Sequence, residues 1–409
     1  MSEHNNPEVI DVIDTTDKEQ HTFQADAQQI LKLVTHSIYS DREIFLRELL
    51  SNASDALDKA RFLSLSEGNF RNVDAPSIRI SFDEESKTIT IEDDGVGMTR
   101  DEVIENLGTI AQSGTKKFTE ALETSGKLDS LIGQFGVGFY SAFMIADKVI
   151  VDTLSINGDS EAIRWESDGS TGYSLSESQK TTRGTRIMLF VRDDASEFIN
   201  DYRLKSIAEK HSSFISWPIF MGEDRLNDNQ ALWTRSPSEV TEEEYHEFYQ
   251  SLTNDTQPPL AYTHFSLEGS VSFSAVLFIP QRHSLQLDNM NYQVDLRLFQ
   301  KRIQVQEHAN DLLPPYLRFV CGVVDSPDVE LNVSREILQK TKAIETIKKQ
   351  LTKKALEMLK KMAKNEPEKY NSFWGDMGMI LKGGIPEDMK NKDKIVELLR
   401  AKTTKSTDW

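Results

Sequence analysis

The stretch from Glu43 to Arg61 constrains the fold of this chain more than any other. Its apolar residues recur at helical spacing, which predicts a long amphipathic helix with one buried face. Ser40 and Glu43 have the spacing of a capping box, so the sequence predicts that this helix begins at Ser40. The apolar positions are Ile44, Leu46, Leu49, Leu50, Ala53, Leu57 and Phe62.

Three polar residues of the same segment share one stripe beside the apolar face. Glu48 and Asn52 are four residues apart and Asp55 follows three further on, so all three lie on one side of a helix. A carboxylate general base and an amide metal ligand could share such a stripe. Because most polar stripes are solvated helix surface, the stripe taken alone favours that plainer interpretation.

Composition sets the broad class of the protein. A chain of 409 residues is long enough for two or three domains, and 38% hydrophobic with 28% charged residues is typical of a globular protein. The formal net charge of -19 works against broad binding to nucleic acids or anionic membranes. Any nucleotide ligand must therefore be held by specific contacts.

The cellular compartment is predicted from cysteine usage and hydropathy. The single cysteine, Cys321, cannot form an intrachain disulfide, which favours a reducing compartment, and its apolar surroundings predict a core position. No apolar run approaches the length that spans a membrane, and the first twenty residues are acidic and polar. We therefore expect a cytoplasmic protein with a loose acidic tail at residues 1–22.

The first glycine motif follows a predicted β-hairpin formed by residues 78–82 and 88–91, which alternate with period two. The chain then runs through Asp93 to Gly95 and Gly97. A buried carboxylate at such a turn can accept a hydrogen bond from a ligand, while the glycines let a flat ring approach the backbone. An ordinary Asp-Gly hairpin turn is the alternative.

A second glycine-rich region extends from Asn106 to Phe139. Residues 106–117 are small and polar with repeated glycines, which fits either a mobile lid or a surface loop. The motif from Gly133 to Phe139 could bind phosphate through successive backbone N–H groups, although a structural turn is an even alternative. Its spacing matches neither the dinucleotide fingerprint nor the P-loop.

The remaining periodicity predicts an α+β fold. The sequence predicts a helix from Phe23 to Ser40, the long helix described above, a helix from Asp201 to Phe214, and several strands between them. Helices followed by mostly antiparallel strands indicate a two-layer sandwich with helices on one face of the sheet. The predicted strands are Asp147 to Thr153, Ala162 to Trp165 and Arg186 to Val191.

The composition changes after Trp217. Residues 222–258 are rich in Glu, Asp, Asn and Pro and predict a polar linker with a helical piece from Glu242 to Leu252. Strands are expected at residues 270–279 and 294–305, a strand-to-helix turn at 328–339, and a helix beyond it with a lysine-rich solvated face. The predicted domain bounds are 1–22 for the tail, 23–216 for the N-terminal domain, 217–258 for the linker and start of the middle domain, and 259–409 for the middle domain.

With these motifs placed, the sequence resembles the heat-shock protein 90 chaperones of the bacterial type, from residue 23 to about residue 400. The wider superfamily of type II topoisomerases, mismatch-repair ATPases and sensor histidine kinases shares only the Glu/Asn helix and the glycine motifs. The resemblance implies the ATPase fold of that superfamily, followed by an α/β middle domain and a helical coil. Its motifs are Tyr39 to Lys59, Asp93 to Met98, Leu107 to Thr115, Gly133 to Ser141 and Leu331 to Glu336.

The resemblance also implies roles for the polar stripe and for two residues of the middle domain. Glu48 would be the general base that activates the attacking water, and Asn52 the lone side-chain ligand of Mg²⁺. Arg335 would reach the γ-phosphate when the domains dock, with Gln339 as a supporting contact. Asp55 has no implied role and is expected to be structural.

A further set of residues would bind the nucleotide itself. Asp93 would accept a hydrogen bond from the adenine amino group, helped by Thr185 through water. Gly97 and Met98 would lie against the base, and Asn106 near the ribose and phosphates. A lid would run from about Thr109 to Gln134. The phosphates would receive backbone N–H groups from Gly133, Gln134, Phe135, Gly136, Val137, Gly138 and Phe139.

The function implied is that of an ATP-dependent molecular chaperone of the stress response, which hydrolyses ATP to ADP slowly and acts on client proteins. Full-length members of the family are homodimers. The family continues with a C-terminal dimerisation domain, whereas this sequence ends at Trp409, so we expect its turnover to be weak. Ala401 stands where the family more often has an aromatic residue. The alternatives are a DNA-directed ATPase of the superfamily, which the acidic balance disfavours, and a nucleotide-responsive binding module without useful catalysis.

Overall fold

The computed structural model describes residues 19–22, 41–65, 70–108, 138–170, 172–227, 230–282, 292–329 and 341–402. Within these ranges the first half of the chain builds one large sheet with helices packed against it. The elements in chain order are β1 (Glu19–Thr22), α1 (Ile44–Ser64), β2 (Ile78–Asp83), β3 (Thr88–Asp93), α2 (Arg100–Gly108), β4 (Ala146–Leu154), β5 (Ile163–Ser167), β6 (Gly172–Glu177), β7 (Gly184–Val191), α3 (Asp201–Ser212), β8 (Ile219–Met221) and β9 (Asp224–Arg225). A 3₁₀ helix spans Gly138–Met144.

The nine strands are arranged in the order β1-β6-β5-β4-β7-β3-β2-β8-β9. All neighbours are antiparallel except β2 and β8. Helix α1 contacts β2 and β3, and also α3 and the 3₁₀ helix. Its apolar face joins the core of the sheet, where Phe45, Leu46 and Leu50 are completely buried. The predicted hairpin, the predicted strands and the predicted helix at Asp201 are therefore confirmed.

The start of α1 differs from the prediction. The helix begins at Ile44 with Glu43 as its N-cap residue and no side-chain capping bond, so the expected capping box does not include Glu43. The Glu43 carboxylate instead lies 2.7 Å from Arg203 Nη1 and 3.4 Å from Lys210 Nζ. Ion pairs to α3 thus replace the capping contact, and they anchor the start of α1 to its neighbour.

The second half of the described chain forms a smaller sheet with its own helices. Its elements are α4 (Glu242–Thr253), β10 (Ala261–Leu267), β11 (Phe273–Ile279), β12 (Leu296–Gln300), β13 (Ile303–Gln306), β14 (Cys321–Asp325), α5 (Lys342–Asn365), α6 (Pro367–Lys382), α7 (Gly384–Glu387) and α8 (Lys392–Glu397). The strands are arranged in the order β10-β11-β14-β12-β13, in which β12 and β14 are parallel. Side chains along β11 alternate between two apolar clusters: Leu277 and Ile279 face one, whereas Val276 and Phe278 face the other.

Residues 222–258 are only partly the polar linker that the composition predicts, and the helical piece predicted from Glu242 to Leu252 is confirmed as the helix Glu242–Thr253. Strand β9 still belongs to the first sheet. From Ala231 onward the segment packs on the second sheet, where Trp233 and Tyr249 are fully buried. A few large aromatic side chains outweigh the polar average of this segment, because burial depends on individual side chains.

The α+β fold class is confirmed by these two sheets and their helices. Cys321 is buried as expected. The helix predicted from Phe23 and the lid from Thr109 lie outside the described residues, and so does the strand-to-helix turn predicted at 328–339 from residue 330 onward. The domain bounds stay a prediction, but the loose tail predicted at residues 1–22 is wrong for its last four residues, because Glu19–Thr22 form β1 and pair with β6.

Candidate functional site

Glu48 lies on the buried side of α1, with only 1% of its surface exposed. Its Oε1 accepts hydrogen bonds from Arg47 Nε at 3.2 Å and Nη2 at 3.0 Å, and this ion pair is buried at both partners. Its Oε2 faces the start of the 3₁₀ helix, since a Cβ built on Gly138 would lie 2.6 Å from that oxygen. The plain alternative of a solvated stripe is therefore wrong for Glu48. Arg47 had no recognisable signal in the sequence.

The other two members of the stripe have different surroundings. Asn52 is half-buried, one turn after Glu48. Asp55 is buried, and its charge partly offsets the lowering of the Lys59 pKa that burial causes. This electrostatic pairing agrees with the structural role expected for Asp55.

Asp93 ends β3 and lies opposite Thr185 of β7 in the sheet register. Its Oδ1 accepts a hydrogen bond of 2.8 Å from the backbone N–H of Gly95. Burial raises the pKa of Asp93 to about 7, although the Gly95 N–H, the charge of Lys180 and the Thr185 N–H all oppose the rise. A buried carboxyl group with this pKa is a common feature of functional sites.

The charge of the neighbouring Asp94 carboxylate is offset by a hydrogen bond and an ion pair. Its Oδ2 accepts a 3.1 Å hydrogen bond from the Ser77 backbone N–H and lies 3.1 Å from Arg79 Nη2. Asp93 has backbone donors and a more distant lysine instead of an ion pair. Of the two adjacent acids, Asp93 is therefore the better candidate to accept a hydrogen bond from a ligand.

Gly97 fits tightly against β4. Its φ is +61°, and a Cβ at this position would overlap the carbonyl oxygen of Leu154. The next residue, Met98, donates its backbone N–H to Thr153 Oγ1 at 3.0 Å, and Thr153 Oγ1 lies 3.1 Å from Thr185 Oγ1. These contacts bring Asp93, Thr185 and Met98 together, as the resemblance implies. Thr153 was missed as a site residue because the sequence shows it only as the end of a strand.

Replacing Gly97 with alanine tests how tightly this turn fits. We expect a loss of at least 1–2 kcal/mol in the free energy of unfolding from the left-handed backbone alone, and more from the clash with Leu154. Gly222→Ala is the matched control, since Gly222 has φ +63° but has no atom within 4 Å of its Cβ position. Urea denaturation measures both. Equal losses in the two variants would contradict the close approach at Gly97.

Helix α2 and the 3₁₀ helix close the site on a further side. Asn106 is half-buried on α2. The Tyr140 hydroxyl donates a 3.0 Å hydrogen bond to the Leu107 carbonyl, which fastens α2 to the 3₁₀ helix that contains Gly138 and Phe139. Seven predicted site residues lie outside the described residues: Gly133, Gln134, Phe135, Gly136, Val137, Arg335 and Gln339.

Helix α1 connects the Glu48 end of this arrangement with the Asp93 end. The backbone N–H of Val96 donates to the Ala56 carbonyl at 2.9 Å, and Gly95 packs directly against the Ala56 side chain. Ala56 follows Glu48 by eight residues, which corresponds to roughly 12 Å along the helix axis. Asn52 lies midway. The site is therefore elongated, with one buried carboxyl group at each end.

The described residues contain no group of three or more His, Cys, Asp and Glu side chains arranged to hold a metal ion. None of the described helices is both long and apolar enough to cross a membrane.

Two family models match the sequence. Residues 39–186 match the family described as "Histidine kinase-, DNA gyrase B-, and HSP90-like ATPase", and residues 220–409 match "Hsp90 protein". The first match contains Glu48, Asn52, Asp93 and Thr185.

Relatives of this chain include proteins named "Chaperone protein HtpG". The chain is 46% identical to the one from Chromobacterium violaceum, over 96% of this chain and 65% of the relative. It is also 46% identical to the one from Pasteurella multocida, over 95% of this chain and 64% of the relative. The chain thus spans slightly less than two thirds of the length of these relatives. By these matches, the chain belongs to the heat-shock protein 90 family in its bacterial form.

Proposed function

We propose that this chain is the ATP-binding and ATP-hydrolysing part of a chaperone that assists the folding of client proteins. The observation that carries the proposal is the elongated site on α1, with buried Glu48 at one end and buried Asp93 at the other. The relatives named as chaperone proteins support the same activity.

The Asp93 end is proposed to bind adenine. The Asp93 carboxylate accepts a hydrogen bond from the exocyclic amino group, and Thr185 contributes through a water molecule. The missing side chain at Gly97 lets this turn lie directly against β4, and we propose that Gly97 and the flexible thioether of Met98 lie against the adenine ring. Thr153 positions this surface, since its hydroxyl lies between the Met98 backbone and Thr185.

The Glu48 end is proposed to bind the triphosphate. Backbone N–H groups from Gly133 to Phe139 would donate to phosphate oxygens, and Asn106 would lie near the ribose and phosphates. Arg335 would reach the γ-phosphate, supported by Gln339, when the lid closes and the middle domain docks. The roughly 12 Å between Glu48 and Ala56 suits a ligand with its base and terminal phosphate at opposite ends.

Magnesium fits the position of Asn52, whose half-buried amide lies between the two ends of the site. When bound, Mg²⁺ would neutralise phosphate charge, with the Asn52 side-chain oxygen as one ligand and phosphate and water oxygens as the others. A single amide ligand suits a metal that arrives with its nucleotide, since Mg²⁺ keeps several waters.

Glu48 is proposed as the general base. Its Oε1 accepts hydrogen bonds from Arg47 and its Oε2 faces Gly138, and we infer that this carboxylate accepts a proton from the attacking water. Arg47 holds the carboxylate in this orientation through its two hydrogen bonds to Oε1.

The proposal extends to the setting of the whole protein. We place the chaperone in the cytoplasm, with client proteins as partners and a homodimer as the full-length assembly, and without a nucleic acid or membrane partner. The net charge of -19 supports the exclusion of nucleic acid and of anionic membranes.

The affinity for ATP should depend on pH if Asp93 binds adenine as a carboxylate. Since the pKa of Asp93 is about 7, we expect the affinity to fall roughly tenfold between about pH 8 and about pH 6, and to level off above pH 8. Isothermal titration calorimetry with ATP and Mg²⁺ measures this. An absence of binding heat at pH 8 would contradict the proposed function, whereas pH-independent binding would contradict only the role of Asp93.

A further inference from the structure

Arg71 lies between α1 and β2 and holds the loop that follows β4. Its half-buried guanidinium group donates hydrogen bonds to several backbone carbonyl groups of that loop. The carbonyl groups are those of Ser155 at 2.8 Å, Asn157, Gly158 at 2.7 Å and Ser160 at 2.9 Å. Because all of them bind the same rigid, planar group, one side chain fixes the course of the loop.

The loop, residues 155–160, packs against the turn from Asp93 to Met98 (the adenine turn). A Cβ on Gly97 would overlap the carbonyl group of Leu154 and would lie 3.0 Å from the Cα of Ser155. The turn is thus in direct contact with the first residue of the loop. A displacement of the loop removes the surface on which the turn rests.

A closed ring of hydrogen bonds also joins Arg71 to the adenine turn. The buried Arg183 donates from Nε to the Asp94 carbonyl at 3.1 Å and from Nη1 to the Arg71 carbonyl at 3.0 Å. The Arg71 backbone N–H donates to the Ile156 carbonyl at 2.9 Å, and the Ile156 N–H donates to the Val96 carbonyl at 2.7 Å. The ring starts at Asp94 and returns to the same turn at Val96, so each member restrains the others.

We infer that Arg71 is a positioning residue for ATP binding, which holds the loop so that Gly97 and Met98 lie where adenine binds. The inference rests on the proposed adenine site. Without the Arg71 side chain, the converging carbonyl groups lose a charged donor, and the loop can move away from the turn. Since only molecules with the turn in place bind adenine, the apparent affinity falls with the fraction of such molecules.

Arg71→Met should weaken the binding of ATP and of ADP by roughly tenfold each, which corresponds to a turn in place in about one molecule in ten. The same factor is expected for both nucleotides because they share the adenine end. Turnover at saturating ATP should stay within about twofold of the parent, since the bound molecules have the turn in place and Glu48 is unchanged. Calorimetry measures the affinities, and a phosphate-release assay measures turnover.

Two further variants separate positioning from charge and from stability. Arg71→Lys keeps the positive charge but has one nitrogen atom where Arg71 uses two, so we expect ATP binding to stay weakened by roughly threefold or more. Arg400→Met is the matched control. Arg400 is also half-buried, donates to the Leu399 carbonyl at 3.0 Å and packs on the ring of Tyr370 in α6, so its loss should leave both affinities unchanged.

Urea unfolding gives the folded fraction of each variant under the assay conditions, and affinities are compared per folded molecule. Unchanged affinities in Arg71→Met would overturn the inference while the proposed function stood. Full recovery of affinity in Arg71→Lys would show that charge alone attracts the nucleotide, and an equal loss in Arg400→Met would show a general effect of stability. Either result would overturn the inference. A parent chain that binds no ATP would contradict the proposed function, and the inference with it.

Discussion

Replacing Glu48 with alanine should reduce ATP turnover by roughly 10²- to 10⁴-fold, while the affinity for ATP stays close to that of the parent chain. The carboxylate acts on the attacking water, so its loss removes the proton acceptor and leaves the adenine contacts of Asp93 in place. A steady-state phosphate-release assay measures turnover, and calorimetry measures affinity.

The ion pair with Arg47 makes a second variant necessary. Alanine leaves the Arg47 guanidinium buried without the Glu48 carboxylate, and breaking a buried ion pair typically costs about 3–5 kcal/mol of stability. Glu48→Gln keeps an amide oxygen for Arg47 and removes only the basic group. We therefore expect Glu48→Gln to fold like the parent chain and to lose turnover to a similar extent.

Asp55→Asn is the matched control on the same helix. It makes the same carboxylate-to-amide change seven residues from Glu48, at a position for which we assign no part in chemistry. We expect turnover within a few-fold of the parent, in line with the absence of a contact to the reacting atoms. Turnover that survives in Glu48→Gln, or that disappears equally in Asp55→Asn, would remove Glu48 from the role of base.

The sequence predicts those parts of this molecule that depend on local periodicity. The apolar spacing along α1 and the alternation in β2 and β3 each reflect which side of an element faces the core, and all three elements form, although α1 begins at Ile44 and not at Ser40. Periodicity also places Glu48 beside the apolar face. It does not show that this side is covered, because the covering 3₁₀ helix lies about ninety residues further along the chain.

Contacts between distant segments explain what the sequence did not predict. Glu43 pairs with Arg203 and Lys210, which are more than 150 residues away, and not with its own helix terminus. Trp233 is buried against a sheet whose strands follow it in the chain, so the polar average around it was misleading. Thr153 acquires its position only when β4 pairs with β7.

The pKa of Asp93 likewise arises from the three-dimensional structure. The adjacent acids Asp93 and Asp94 have the same side chain, and only packing separates them. Asp94 forms an ion pair with Arg79. Asp93 is buried, and it is stabilised by backbone N–H donors and by the charge of Lys180. The sequence motif thus indicates which turn carries the acid, and the structure gives it a pKa near neutral pH.

Replacing Asp93 with asparagine should lower ATP affinity by roughly 100-fold or more and, in the absence of ATP, stabilise the fold at alkaline pH. The Asn oxygen can keep the backbone bond from Gly95, which leaves its NH₂ group facing the adenine amino group. Two donors then oppose each other in a buried site, and sites built for one hydrogen-bonding pattern reject the wrong one strongly. Calorimetry measures this loss, and intact ATP binding would remove Asp93 from the adenine site.

The gain in stability follows from the direction of the pKa shift. Because the folded-state pKa of Asp93 lies above its ordinary value of 3.8, ionisation lowers the stability of the fold as the pH rises from about 4 to about 7. Asparagine cannot ionise, so the variant avoids this cost. The rise of the Asp93 pKa from 3.8 to about 7 corresponds to a cost of at most about 4 kcal/mol. Urea unfolding without nucleotide should therefore show Asp93→Asn to be more stable than the parent chain at about pH 8, by an amount that shrinks as the pH falls towards 4.

Asp94→Asn is the control for this second effect, since it loses the ion pair with Arg79 and should not be stabilised. If Asp93→Asn lost ATP binding but was no more stable than the parent chain at pH 8, the result would support the adenine contact of Asp93. It would contradict the destabilising effect of the buried charge. The two measurements thus separate what Asp93 does for the nucleotide from what it costs the fold. A stabilised variant that cannot bind ATP would show that this carboxylate is retained at the expense of stability, as expected for a residue kept for ligand binding.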